Sequence, residues 1–138
     1  MPLQGMWPEQ VERIAVFLRA AGVQARLEEL ASGVDSPPGP TVRAAGFECD
    51  GRALVALVLG DRRVDRNKLA RAAGCGTLRT AATPGFPFQP ARVFVDRGVL
   101  SGPTVWLEAG SPRHVVGLSP SQLAHVTRAE AVDLLAED

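Results

Sequence analysis

Seven apolar residues in a row, Ala53-Leu54-Val55-Ala56-Leu57-Val58-Leu59, constrain this chain more than any other segment. The run is far too short to cross a bilayer as a helix and reads as a fully buried strand. Before it, Asp50-Gly51-Arg52 follows the apolar stretch Thr41 to Cys49, and Asp-Gly between two such runs predicts a hairpin. After it comes the polar turn Gly60-Asp61-Arg62-Arg63-Val64-Asp65. A short helix then follows from Arg66 to Ala73, with Asp65 to cap its start and Gly74 to end it.

Pro8 opens a helix over Glu9 to Ala21 that Gly22 closes, with Val11, Ile14, Ala15 and Leu18 as its core-facing stripe. Val23, Ala25 and Leu27 alternate with polar neighbours, the period of a half-buried strand. Ser32 to Pro40, with three prolines and two glycines, is a surface loop, and Cys75 to Pro90 reads as a loose segment. Arg92 to Val95 predicts a strand, and Asp96 starts a helical turn through Leu100. Thr104 to Glu108 and His114 to Leu118 read as paired strands. Two capping boxes, Ser119 with Gln122 and Thr127 with Glu130, predict two closing helices. Strand and helix do not alternate regularly. The expected architecture is therefore mixed α/β, a curled, largely antiparallel, barrel-like sheet with flanking helices, in one domain over residues 1–138.

Fifteen basic and fifteen acidic side chains cancel, so no global field draws the chain to nucleic acid. Such a role needs a local basic surface or a partner. Arg62, Arg63, Arg66, Lys68 and Arg71 form the densest basic group, either a nucleic-acid face or a solvated helix face. No apolar stretch reaches membrane-spanning length, and the first residues lack the basic start and apolar centre of a signal peptide. A cytoplasmic location is expected. Cys49 and Cys75 read as small apolar residues in a reduced compartment, with a catalytic thiol or a disulfide as alternatives. Two histidines, two scattered cysteines and no clustered carboxylates argue against a metal, and no glycine fingerprint points to a nucleotide cofactor.

The order of these pieces resembles the YbaK family of aminoacyl-tRNA editing domains, which also includes the prolyl-tRNA synthetase-associated domains. Its members carry a strand, a Gly-Asp-x-Arg-type turn and a lysine-rich helix in that order, which Ala53 to Gly74 resembles. Val105 to Leu123, with Ala109-Gly110, a small turn, an apolar strand and Leu118-Ser119-Pro120, looks like the family's last hairpin and the helix after it. The resemblance implies hydrolysis, in trans, of the ester joining a wrong amino acid to the 3′ end of a tRNA. It implies no metal and no cofactor. The partners it implies are the acceptor end of an aminoacyl-tRNA and an aminoacyl-tRNA synthetase.

Carried onto this sequence, the family's strand lysine falls at Arg43, within Thr41-Val42-Arg43-Ala44-Ala45-Gly46-Phe47. Arg43 can grip phosphate or ribose but cannot shuttle a proton; as a bland alternative it is a strand arginine facing solvent. Gly110 is expected to offer its N–H to the ester carbonyl, and Ser111 to bond the adenosine or the amino acid, unless both merely form a hairpin turn. His114 would act as general base or help position the ester; an exposed strand-end histidine is the plainer reading. Gly85 and Phe88 stand where the family has a longer loop bordering the amino-acid pocket, and are either its remnant or a turn with buried phenylalanines. Arg62 and Arg63 would meet the tRNA. Val115 replaces an aspartate of some members, the Ser32–Pro40 loop replaces a helix, and the loop before Pro90 is short. These departures favour the alternative of a degenerate module that binds tRNA or a synthetase without hydrolysis.

Overall fold

The computed structural model describes residues 7–136. In chain order the elements are α1 (Glu9–Ala20), β1 (Arg26–Glu29), β2 (Val42–Cys49), β3 (Arg52–Leu59), α2 (Arg66–Ala73), β4 (Leu78–Thr80), β5 (Arg92–Asp96), α3 (Arg97–Leu100), β6 (Val105–Ser111), β7 (His114–Leu118), α4 (Pro120–Thr127) and β8 (Glu130–Val132). The strands form a five-stranded sheet in the order β4-β2-β3-β5-β8 and a three-stranded sheet in the order β1-β7-β6. The bridge between Thr41 and Trp106 joins the two. Pairing is mixed, with β3–β5 and β5–β8 parallel and the rest antiparallel. One curled, barrel-like sheet was expected; among the described residues the ladders make two sheets and no closed ring.

β3 is apolar from Ala53 onward, and both its faces are covered over Leu54 to Val58. Val55 and Leu57 join the core shared by the two sheets and α1, with Ile14, Leu18, Leu107, Val116 and Leu123. Leu54, Ala56 and Val58 face the opposite way, under α2, with Leu69, Phe94 and Leu134. The β2–β3 turn places Asp50 at φ 50° and Gly51 at φ 84°, as a tight Asp-Gly hairpin requires. Asp65 caps α2 by accepting from the amides of Asn67 and Lys68, and Gly74 closes it at φ 73°. Asp96 caps α3 at Gly98 N and also accepts from the buried amide of Leu134, tying the end of β5 to the C-terminal segment.

Four expectations fail here. The Cys75–Pro90 segment contains β4, which pairs Leu78 with Cys49. That pairing brings Cys75 beside β2, and Cys49 and Cys75 form a disulfide with a Cα–Cα distance of 5.4 Å. The reading of both as free, reduced cysteines is thereby overturned, and a cytoplasmic location loses that support. Thr127 and Glu130 do not start a helix. Arg128 at φ 56° ends α4, and Glu130 enters β8 alongside β5. Lastly, His114 is buried, not exposed at a strand end.

Candidate functional site

β2 changes neighbours along one edge. At Thr41 it bridges to Trp106 of β6, and from Gly46 onward that edge belongs to the segment Leu78 to Ala82. Gly46 accepts from the amide of Ala81 at 3.0 Å, and a Cβ there would lie 2.7 Å from the carbonyls of Ala81 and Ala82. Between these two attachments Arg43, Ala44 and Ala45 have no strand partner on that side among the described residues. The opening is a cleft of about 600 Å³. Val42 and Ala44 of β2, Leu107 of β6, and Phe86 and Phe88 form its apolar part; Gly85, Gly110, Ser111, Glu108 and Arg43 add polar groups or bare backbone.

Several of these residues are held in place. Phe86 and Phe88 meet edge to face with ring centres 5.7 Å apart, and the amide of Phe88 donates to Gly85 O at 2.7 Å. Both flanking X–Pro bonds, Phe86–Pro87 and Gln89–Pro90, are cis. Gly110 sits in the β6 irregularity between Glu108 and Ser111 at φ 89°, where a Cβ would meet Val11 at 3.0 Å. Glycine is therefore required twice over, for its backbone angle and for the approach of α1. Ser111 Oγ accepts from the amide of Arg113 at 3.1 Å and lies 2.6 Å from His114 Nδ1. His114 Nε2 is buried without a hydrogen-bond partner among the described residues, and its ring packs edge-on against Trp7.

Arg43 lines the cleft, but strand alternation sets its side chain on the same face as its pairing partner Val58. Its guanidinium donates to Gly60 O at 3.3 Å through Nε and to Arg62 O at 2.7 Å through Nη2. The fork is thus fixed against the turn after β3, and its remaining N–H groups point to no partner among the described residues.

The basic cluster does not present one free face. Arg66 stacks over Phe47 and bonds Thr80 Oγ1 and Leu78 O, and Lys68 pairs with Asp133 at 2.9 Å. Arg62 and Arg63 are exposed on the turn but do not line the cleft; their carbonyls bond Arg43 and the amide of Ala136.

Among solved structures, a protein described provisionally as a trans-editing enzyme for prolyl tRNA synthetase superposes with a TM-score of 0.82. It is 23% identical, and the match covers 95% of this chain and 99% of that one. The chain has the YbaK-like fold. A scaffold used for computational grafting of linear epitopes matches similarly, with a TM-score of 0.81 at 22% identity, over 96% of this chain and all of that one. A signal transduction protein, provisionally so described, from Marinobacter aquaeolei VT8 matches at 0.67 and 18% identity, over 89% of this chain and 31% of its own. No protein-family model and no curated protein sequence matches the chain.

Set on this YbaK-like fold, Arg43, Gly85, Phe88, Gly110 and Ser111 all line one cleft, and His114 stands directly behind Ser111. Phe88 is both a buried aromatic and a wall residue, so the two readings of its loop are compatible. Val115, at the position of the missing aspartate, is buried. Sequence reasoning passed over Glu108, a carboxylate bordering the cleft. Its signal is a single charge in the otherwise apolar run Val105-Trp106-Leu107-Glu108-Ala109.

Proposed function

We propose that the chain is a trans-editing deacylase that hydrolyses the ester of a mischarged tRNA. The observation that carries this reading is the convergence of Gly110, Ser111 and Arg43 on one cleft with an apolar interior. In it, the amino-acid side chain enters between Phe86, Phe88 and Leu107, while the adenosine end stays at the opening. Arg43, already clamped to Gly60 and Arg62, presents its remaining N–H groups to the terminal phosphate or ribose. Main-chain N–H groups beside Gly110 meet the charge that grows on the carbonyl oxygen. Ser111, held by His114 and by the amide of Arg113, positions the ester for attack by water. A synthetase or the rest of the tRNA supplies additional affinity, since fifteen acidic side chains balance the fifteen basic ones and Arg43 is the one basic residue in the described cleft lining.

One observation favours a second reading. With its guanidinium tied to two carbonyls, Arg43 offers no amine, and a module that binds the acceptor end without cleaving it needs nothing more. Both readings face the same assay. The purified protein is incubated with tRNAs carrying alanine, cysteine, serine or proline, and ester loss is followed beside Ser111→Ala and Arg43→Ala. Loss from at least one of these, slowed about 10-fold or more by Ser111→Ala, is expected. No loss above buffer with the tRNA still bound establishes the binding module. Loss unchanged in both variants removes the assigned roles.

A further inference from the structure

We infer that Glu108 is the acceptor for the α-ammonium group of the bound aminoacyl ester, an assignment that rests on the aminoacyl-end reading above. The Thr41–Trp106 bridge is parallel, so one two-residue step leads to Arg43 on β2 and to Glu108 on β6. In parallel strands such equivalent positions leave the same face of the sheet. Val105, Leu107 and Ala109 alternate with Glu108 and turn into the core. That leaves Glu108 facing outward on one side of the opening and Arg43 on the other. The opening therefore carries one negative and one positive group above an apolar interior.

Glu108 is exposed, and it has no ion pair or side-chain hydrogen bond among the described residues. A carboxylate tied into the fold would show a partner, as Asp50, Asp96 and Asp133 do. An aminoacyl-adenosine end matches the pattern. It has an apolar or small side chain, an ammonium two bonds from the ester carbon, and a phosphate on the far side of the ribose. With the side chain inside and the phosphate on Arg43, the ammonium is left at the β6 wall. A carboxylate there separates a free aminoacyl group from one whose nitrogen is acylated. A charge-assisted contact of this type is the kind that discriminates well.

The test is binding, so it does not depend on turnover. Two amide-linked probes are compared by calorimetry, 3′-deoxy-3′-(L-alanylamino)adenosine 5′-phosphate and its N-acetyl form, against the wild-type protein and Glu108→Gln. The wild type should prefer the free amine about 10-fold. Glu108→Gln should bind both probes alike, at the affinity the wild type shows for the acetylated one. Equal affinities in the wild type, a preference that survives in Glu108→Gln, or no binding of either probe overturns the assignment. A Glu108-dependent preference in a protein that hydrolyses no tested ester upholds the assignment and ends the deacylase reading alone. Hydrolysis without the preference does the reverse.

Discussion

Removing the Cys49–Cys75 bridge should lower stability by about 3.5 kcal/mol while leaving the fold and the cleft intact. The cysteines are 26 residues apart in sequence. Closing a loop of that size in the unfolded chain costs about 12 cal/mol/K, or about 3.5 kcal/mol at 25 °C, in the chain-entropy account. The native contacts around the bridge do not need it. Asp50 accepts from the amides of Gly76 at 3.0 Å and Thr77 at 2.7 Å, and its own amide donates to Thr77 O at 2.9 Å. Cys75 N donates to Ala70 O at 2.9 Å, so the residue after α2 stays where it is. The effect should therefore fall on the unfolded state, with no local opening. The cleft is insulated as well, because Cys49 and Arg43 stand at opposite ends of β2, about 20 Å apart at 3.3 Å per residue. Thermal unfolding of Cys49→Ala/Cys75→Ala beside the wild type measures this, and a fall of about 10–15 °C is expected for a chain of this length. Reductant should lower the wild type to the same midpoint and leave the double variant unmoved. Midpoints within about 2 °C of each other would refute the reasoning, and so would a double variant that fails to bind the probes its folded state should bind.

Two further outcomes follow from the carboxylates. Asp96 is buried and satisfies two amides, at Gly98 and Leu134, so Asp96→Ala strips a cap and leaves a buried donor unpaired. A loss of about 2–3 kcal/mol is expected in urea unfolding, and a loss below about 0.5 kcal/mol would show that water replaces the carboxylate. The amide of Gly76, then that of Thr77, holds the Asp50 carboxyl below its ordinary value. A carboxyl lowered on folding adds stability above its unfolded value, and that stability disappears as the pH falls through the folded one. Asp50→Asn should therefore flatten part of the acid limb of the stability curve below about pH 4, and an unchanged limb would exclude the group.

Local signals in the sequence were enough wherever one residue closes one turn. Asp50-Gly51, Asp65 with Gly74, Asp96, and Ser119 with Gln122 each act within a few positions, and all stand as read. What escaped depends on residues far apart. β4 has three residues, none fully buried, and is a strand only because the end of β2 needs a partner. The disulfide follows from that pairing, so a segment read as loose could not reveal it. Thr127 and Glu130 have capping-box spacing, but Thr127 Oγ1 bonds Leu123 O within α4, and Glu130 is drawn to β5 by Asp96 and Leu134. His114 looks like an exposed strand end until β1 pairs with it through Glu29 and Trp7 covers it. In the site, Arg43, Gly110 and Ser111, which the resemblance groups together, line one cleft. The resemblance gave no hint of Glu108, which matters only because β2 and β6 part where they do.

That parting explains why the cleft lies where it does. A sheet edge left open is normally a liability, because unpaired main-chain groups invite another strand. Here the open length is only the stretch of β2 between the Thr41 bridge and Gly46, too short to seat a strand of ordinary length. Its two limits are set by close contact. A Cβ on Gly39 would lie 3.2 Å from the Trp106 indole nitrogen, and Gly46 lets Ala81 and Ala82 lie against the strand. A side chain at Gly46 would push that flank away and lengthen the open edge, and one at Gly39 would crowd the indole. Between them, Arg43 is fixed by carbonyls of the turn after β3 and so keeps its place with no ligand present. Preformed geometry of this kind lowers the ordering cost of binding, which suits a small polar end group held by a few directed bonds. On this view the proposed chemistry turns on Ser111 and His114, since Arg43 is already fixed on the β2 wall and Gly110 and Ser111 on the β6 wall.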